Sequence, residues 1–100
     1  MKTIINEDVL AHGIVIQAAK DYLSYRRTKE KLEAINSEDE RHLMNLKRAT
    51  DEFDAVVRFF KSDWYKQLCN IDGDRMLEML DKEYHDRQIA RNKRKIRKPR

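Results

Sequence analysis

Between Leu43 and Trp64 the residues Leu43, Leu46, Thr50, Phe53, Val57, Phe60 and Trp64, all apolar but Thr50, recur at steps of 3, 4, 3, 4, 3 and 4. That spacing is a helical seam on a heptad repeat, and a seam of this length needs a long partner helix to cover it. The preceding segment supplies one: Ala11, Val15, Ala18, Tyr22, Tyr25, Lys29 and Leu32 step by 4, 3, 4, 3, 4 and 3, broken only at Lys29. With 2 Gly and 1 Pro in 100 residues, the chain has too few turn-formers for a β-rich or loop-rich fold. The reading is therefore all-α, with long helices and few connections.

The first helix is expected over residues 7–35, with Asn6 as its N-cap and Gly13 as an interior glycine that either marks a close helix contact or is simply tolerated. At about 1.5 Å per residue it outruns a compact domain of this size, so the molecule is expected to be elongated. Ser37-Glu38-Asp39-Glu40 reads as a capping box that opens the second helix, Ser37 capping and Glu40 reaching back. Arg26, Arg27, Lys29 and Lys31 crowd the last turns of the first helix and complement its negative end, so the Asn36 connection reads as a tight antiparallel hairpin. Ser62-Asp63 caps a short turn of helix through Cys69, and Asn70-Ile71-Asp72-Gly73 is turn chemistry. A further helix begins near residues 72–74 and carries Met76, Leu77, Leu80 and Tyr84. Packed against residues 9–23 and 50–64, it completes a three-helix bundle, while residues 24–48 keep a thinner seam and read as a projecting two-helix arm, either a homodimer surface or a partner-binding element.

Charge divides the chain. Residues 87–100 carry 8 basic and 0 acidic side chains, leaving 14 basic against 18 acidic on residues 1–86. We read residues 1–86 as a helical bundle domain and residues 87–100 as a basic tail, disordered or partly helical. Arg87, Arg91, Lys93, Arg94, Lys95, Arg97, Lys98 and Arg100 are the footprint of a phosphate-backbone binder, with Arg26, Arg27, Lys29 and Lys31 as auxiliary contacts. The plainer alternative is a solvated tail that aids solubility. DNA or RNA, or a nucleoprotein complex, is the expected partner. A membrane is not, since Ile89, Ala90 and Ile96 are too few apolar groups to insert.

Catalytic and metal chemistry find little support in the sequence. No glycine cradle, nucleophile elbow or zinc spacing occurs. Aligning Gly73 with the glycine of a calcium loop puts Leu68 at the first ligand and Met79 at the last, so 70–74 reads as a helix-starting turn. His12, His42 and His85 are far apart in sequence, and Asp51, Glu52 and Asp54 fan around a helix as a solvated acidic face. Cys69 has no partner cysteine and reads as a small buried apolar residue. The expectation is a protein with no enzymatic activity, no cofactor and no metal. The N-terminal residues lack the apolar run of a secretory signal, which points to a cytoplasmic protein.

The segment Phe59-Phe60-Lys61-Ser62-Asp63-Trp64, followed by Asp72-Gly73 and the run Leu77 to Leu80, resembles small helical proteins of unassigned function encoded in prophages and mobile elements of Gram-positive bacteria. The likeness spans about residues 53–83 and carries no catalytic residue; Phe60 and Trp64 are expected in the core. The resemblance implies a phage accessory role: a regulator, a replication helper or an inhibitor of host defence. The second functional expectation is accordingly an anti-CRISPR-type inhibitor that blocks a host nuclease, such as a CRISPR effector, by protein–protein binding.

Overall fold

The computed structural model describes residues 7–96, with side chains for residues 11–93. Among the described residues four helices follow one another: α1 (Glu7–Glu33), α2 (Glu40–Phe60), α3 (Asp63–Leu68) and α4 (Gly73–Ile96). The radius of gyration is 17.3 Å and the extents are 53 × 39 × 31 Å. A compact chain of this length has a radius of gyration of about 13 Å, so the molecule is elongated.

α1 packs most extensively on α2. Tyr22 of α1 meets Phe53 of α2 with ring centroids 5.1 Å apart, and the Lys29 ammonium lies 5.4 Å from the Phe53 centroid. The interruption of the α1 stripe at Lys29 is thus a cation placed over an aromatic face, its aliphatic stem covering apolar surface. The core gathers Val15 and Tyr22 from α1, Val56 and Phe60 from α2, Tyr65 from α3 and Leu80 from α4. Cys69 is free and half-buried, and it packs against this cluster.

Two sequence expectations shift. The α2 N-cap is Asp39, whose carboxylate accepts from the Arg41 amide at 3.3 Å, while Ser37 Oγ accepts from the Asp39 amide at 3.1 Å. The capping box of Ser37 and Glu40 does not form, because Glu40 is already the first helical residue and an aspartate beside it serves as the cap.

Trp64 is 56% exposed, whereas Phe60 is 1% exposed and Tyr65 is fully buried. The heptad register ends where α2 ends: Lys61 closes α2, and Ser62 Oγ accepts from the Tyr65 amide at 3.2 Å to start α3 in a new phase. That restart turns Tyr65 inward and leaves Trp64 resting edge-on against Phe59, centroids 5.5 Å apart.

The proposed domain boundary at 86/87 falls within α4, which continues to Ile96. The ion pair Glu83–Arg87 and the hydrogen bond from Gln88 to Tyr84 tie successive turns across that position. α4 also accompanies α1 beyond residue 24: Arg26 and Glu30 are bonded to Asp81 and Tyr84 respectively. The α1 side of the expected free arm is therefore covered by α4 along this stretch. Asn6 and residues 97–100 lie outside the described residues.

Candidate nucleic-acid interface

The joint between α1 and α4 is polar, and it fixes which cations face which way. The Arg26 guanidinium donates to Asp81 Oδ1, to Glu30 Oε2 at 3.2 Å and to the Tyr22 hydroxyl at 3.3 Å, and it lies 4.5 Å from the Tyr84 ring centroid. Tyr84 donates its hydroxyl proton to Glu30 Oε1 at 2.8 Å and accepts from Gln88 Nε2 at 3.1 Å. The His85 ring stands 3.6 Å from Asp81 Oδ2. Burial acts to lower the Arg26 pKa, but the hydrogen bonds to Asp81 and Glu30 outweigh it and hold the guanidinium above its ordinary value. The Arg26 bond in turn holds Asp81 below the usual carboxylate range. For Tyr84, burial and then the Glu30 contact push the phenol up to about 12. Arg26, expected as an auxiliary nucleic-acid contact, has a side chain only 17% exposed and is occupied within this joint.

Arg27 follows Arg26 on the helix and turns about 100° away from it. It lines a cleft of about 480 Å³ between α1 and α4, with Lys20 and Lys31 on the α1 side and Arg87 and Arg91 on the α4 side. Every charged residue lining this cleft is basic. A second hollow of about 280 Å³ shares Arg27, Lys31 and Arg91 with the first and adds Asn92, extending the basic surface along the helix pair. Arg87 pairs with Glu83 at 2.6 Å on the exposed surface, and Arg91 donates to Gln88 Oε1. Among the described residues, Lys20, Arg27 and Lys31 make no salt bridge. Like charges collected in one cleft raise its potential, which a phosphate-bearing ligand relieves.

Of the sequence-derived site residues, the fold brings Arg27, Arg87 and Arg91 together. Lys93 is exposed near the end of α4 and lines neither hollow. Arg94 and Lys95 belong to the last turn of α4, and Arg97, Lys98 and Arg100 lie outside the described residues. Lys29, expected as an auxiliary contact, instead pairs with Glu33. Lys31, likewise expected, lines the cleft, and so does Lys20, which the sequence reading does not single out. The signal for both is the spacing Lys20, Ser24, Arg27, Lys31, a polar stripe at steps of 4, 3 and 4 running beside the apolar one.

Elsewhere, an open apolar groove of about 460 Å³ lies between α1 and α2, lined by Ala18, Tyr25, Val56, Phe59 and Trp64 among others, with Asp21 and Glu52 as its charged members. Asp51, Glu52 and Asp54 are exposed, and Asp51 pairs with Lys47. Asp72 Oδ2 accepts from the Arg75 amide at 3.2 Å, so the 70–74 segment starts α4. Among the described residues, no group of three or more His, Cys, Asp or Glu side chains is placed to hold a metal ion. No helix among them is long and apolar enough to cross a membrane. Comparison with protein-family models, with curated proteins and with solved structures finds no match to this chain.

Proposed function

We propose that this chain is a non-enzymatic, phage-type accessory protein that binds nucleic acid, or a nucleoprotein complex, through its basic C-terminal segment, residues 87–100. One observation carries the reading: 8 cations and no acid occupy a segment whose first part is helical and continuous with the helix that packs on the core. Arg87 and Arg91 are thereby held on a rigid element beside Arg27. Architecturally the reading takes α1 and α2 as an antiparallel hairpin and α4 as the third helix of the bundle. The contacts of Tyr22 with Phe53 and of Arg26 with Asp81 support that arrangement. The site of action on this reading is the cytoplasm of a bacterial host.

Removing residues 93–100 deletes six cations and leaves the α1–α4 joint intact. The expected result is weaker binding to labelled DNA or RNA in fluorescence anisotropy, with an unchanged melting curve. For the full chain on duplex DNA, about five neutralised phosphates give a slope of log affinity against log salt of about −4 to −5. A truncated protein that binds as tightly as the full chain refutes the proposal.

A second reading is an anti-CRISPR-type inhibitor that binds a host nuclease. It is favoured by the apolar groove flanked by the exposed Trp64, a residue type enriched where proteins meet. Loss of CRISPR-effector cleavage on adding the protein, abolished by Trp64→Ala, is its expected result. Undiminished cleavage across effectors removes it.

A further inference from the structure

The basic tail is one part of the charged surface; the other is built from α1 and is separated from the tail by more than fifty residues of sequence. Lys20, Ser24, Arg27 and Lys31 form a stripe covering twelve residues of α1, about 16 Å of helix. Ser24 and Thr28 line the same cleft and offer hydroxyl donors between the cations. On the facing wall Arg87 and Arg91 stand one helical turn apart. We propose that this cleft is a binding site for the sugar-phosphate backbone of a single-stranded nucleic acid, held between the α1 and α4 rows.

The proposal rests on the nucleic-acid reading above and deepens it by assigning a site and a strand class. Two packed helices have axes about 8–10 Å apart, so the hollow between their outer surfaces is narrow. A duplex, whose major groove alone is about 12 Å across, lies over such a mouth and reaches mainly the rim. One strand enters, and 16 Å of stripe spans about five phosphates at ~3.4 Å per nucleotide of a stacked strand. Arg87 is held by Glu83 in an exposed pair, which is weak enough for a phosphate to displace. Glu30 lines only the adjoining hollow and is occupied by Arg26 and Tyr84. No aromatic ring lines the main cleft, so the recognition expected there is of backbone and not of base sequence.

The test is fluorescence anisotropy of the full chain with twelve-nucleotide oligo(dT) and oligo(rU) and with a twelve-base-pair DNA duplex. Wild type is compared with the triple variant Lys20→Gln, Arg27→Gln, Lys31→Gln. A control triple, Lys47→Gln, Lys61→Gln, Lys66→Gln, makes the same change in net charge on exposed residues away from the cleft. Melting curves verify that each variant folds. Single strands are expected to bind more tightly than the duplex, DNA and RNA within about five-fold of each other because contacts to phosphate dominate. At 0.15 M salt the cleft triple loses on the order of fifty-fold on single strands, and the salt slope becomes shallower by about 2, at ~0.7 per phosphate for three contacts removed. The control triple stays within about three-fold of wild type on the same basis. Equal losses in the two triples, duplex binding as tight as single-strand binding, or equal affinity for a poly-glutamate peptide each overturn the cleft assignment. Tail-dependent duplex binding with an inert cleft leaves the broader reading standing, whereas failure to bind any of the nucleic acids overturns both.

Discussion

Replacing Gly73 by alanine should destabilise the protein sharply, even though alanine is the better helix former. Gly73 opens α4, and a Cβ built there would overlap the carbonyl oxygen of Phe60, lie 3.0 Å from its carbonyl carbon and touch Tyr65 Cδ2 at 3.7 Å. The obstruction is backbone at the end of α2, beside the two most buried side chains of the core, so no rotamer change relieves it. Overpacking typically costs about 1–3 kcal/mol, and a fixed carbonyl puts this site near the upper end. Alanine's helix preference, worth up to about 1 kcal/mol in a helix interior, offsets part of that. The net loss is about 2 kcal/mol, which lowers the melting temperature of a domain this size by roughly 8–16 °C. Gly13 provides the internal comparison. It lies inside α1 with nothing within 4 Å of its Cβ position, so Gly13→Ala should gain about 0.5–1 kcal/mol and raise the melting temperature by roughly 2–8 °C. Both are read by calorimetry or by thermal melts followed by circular dichroism. Gly73→Ala melting within about 2 °C of wild type would refute the close approach of α4 to the end of α2.

The buried Tyr65 hydroxyl makes no hydrogen bond among the described residues, so Tyr65→Phe removes an unsatisfied polar group; stability should rise by about 1 kcal/mol, and a loss of that size in a denaturant titration would show a partner for the hydroxyl. Trp64→Ala should cost under about 1 kcal/mol because the ring is exposed, against about 3–5 kcal/mol for Phe60→Ala, and similar costs would place Trp64 in the core. Alkaline stability follows Tyr84. Its folded pKa of about 12 lies above the ordinary value of 10.0, so the native state binds more protons between those limits and stability falls as pH rises from about 10 to 12. Tyr84→Phe should flatten that part of the profile, leaving the remainder to Tyr65, whose pKa burial also raises. On the acid side Asp81, held below its ordinary 3.8 by Arg26, loses its contribution as pH falls through its lowered pKa, and Asp81→Asn should weaken that dependence in acid melts.

Local pattern and local chemistry made the helices legible. The 3 and 4 spacings of Val15, Tyr22, Phe53 and Phe60 are periodic signals that need no partner to be read, and Ser62 and Asp72 announce the starts of α3 and α4 through their own side chains. Less legible were the consequences of those starts. The Ser62 cap already implies a new helical phase, yet the heptad count carried on to Trp64 and placed the wrong aromatic in the core. At the candidate site, the cation-rich segment stood out because its residues are neighbours in sequence. The cleft did not, because its two walls come from residues 20–31 and 87–91.

What the sequence determines by itself is therefore the set of helices, the seam along α2 and the concentration of positive charge at the C-terminal end, all properties of residues within a few turns of one another. Which arginine is sequestered and which is presented is decided only by tertiary packing. Arg26 and Arg27 are adjacent and chemically identical, but a helix turns by about 100° per residue. Packing α4 along α1 places Asp81, Glu30 and Tyr84 around Arg26, while Arg27 faces a cleft whose charged lining is all basic.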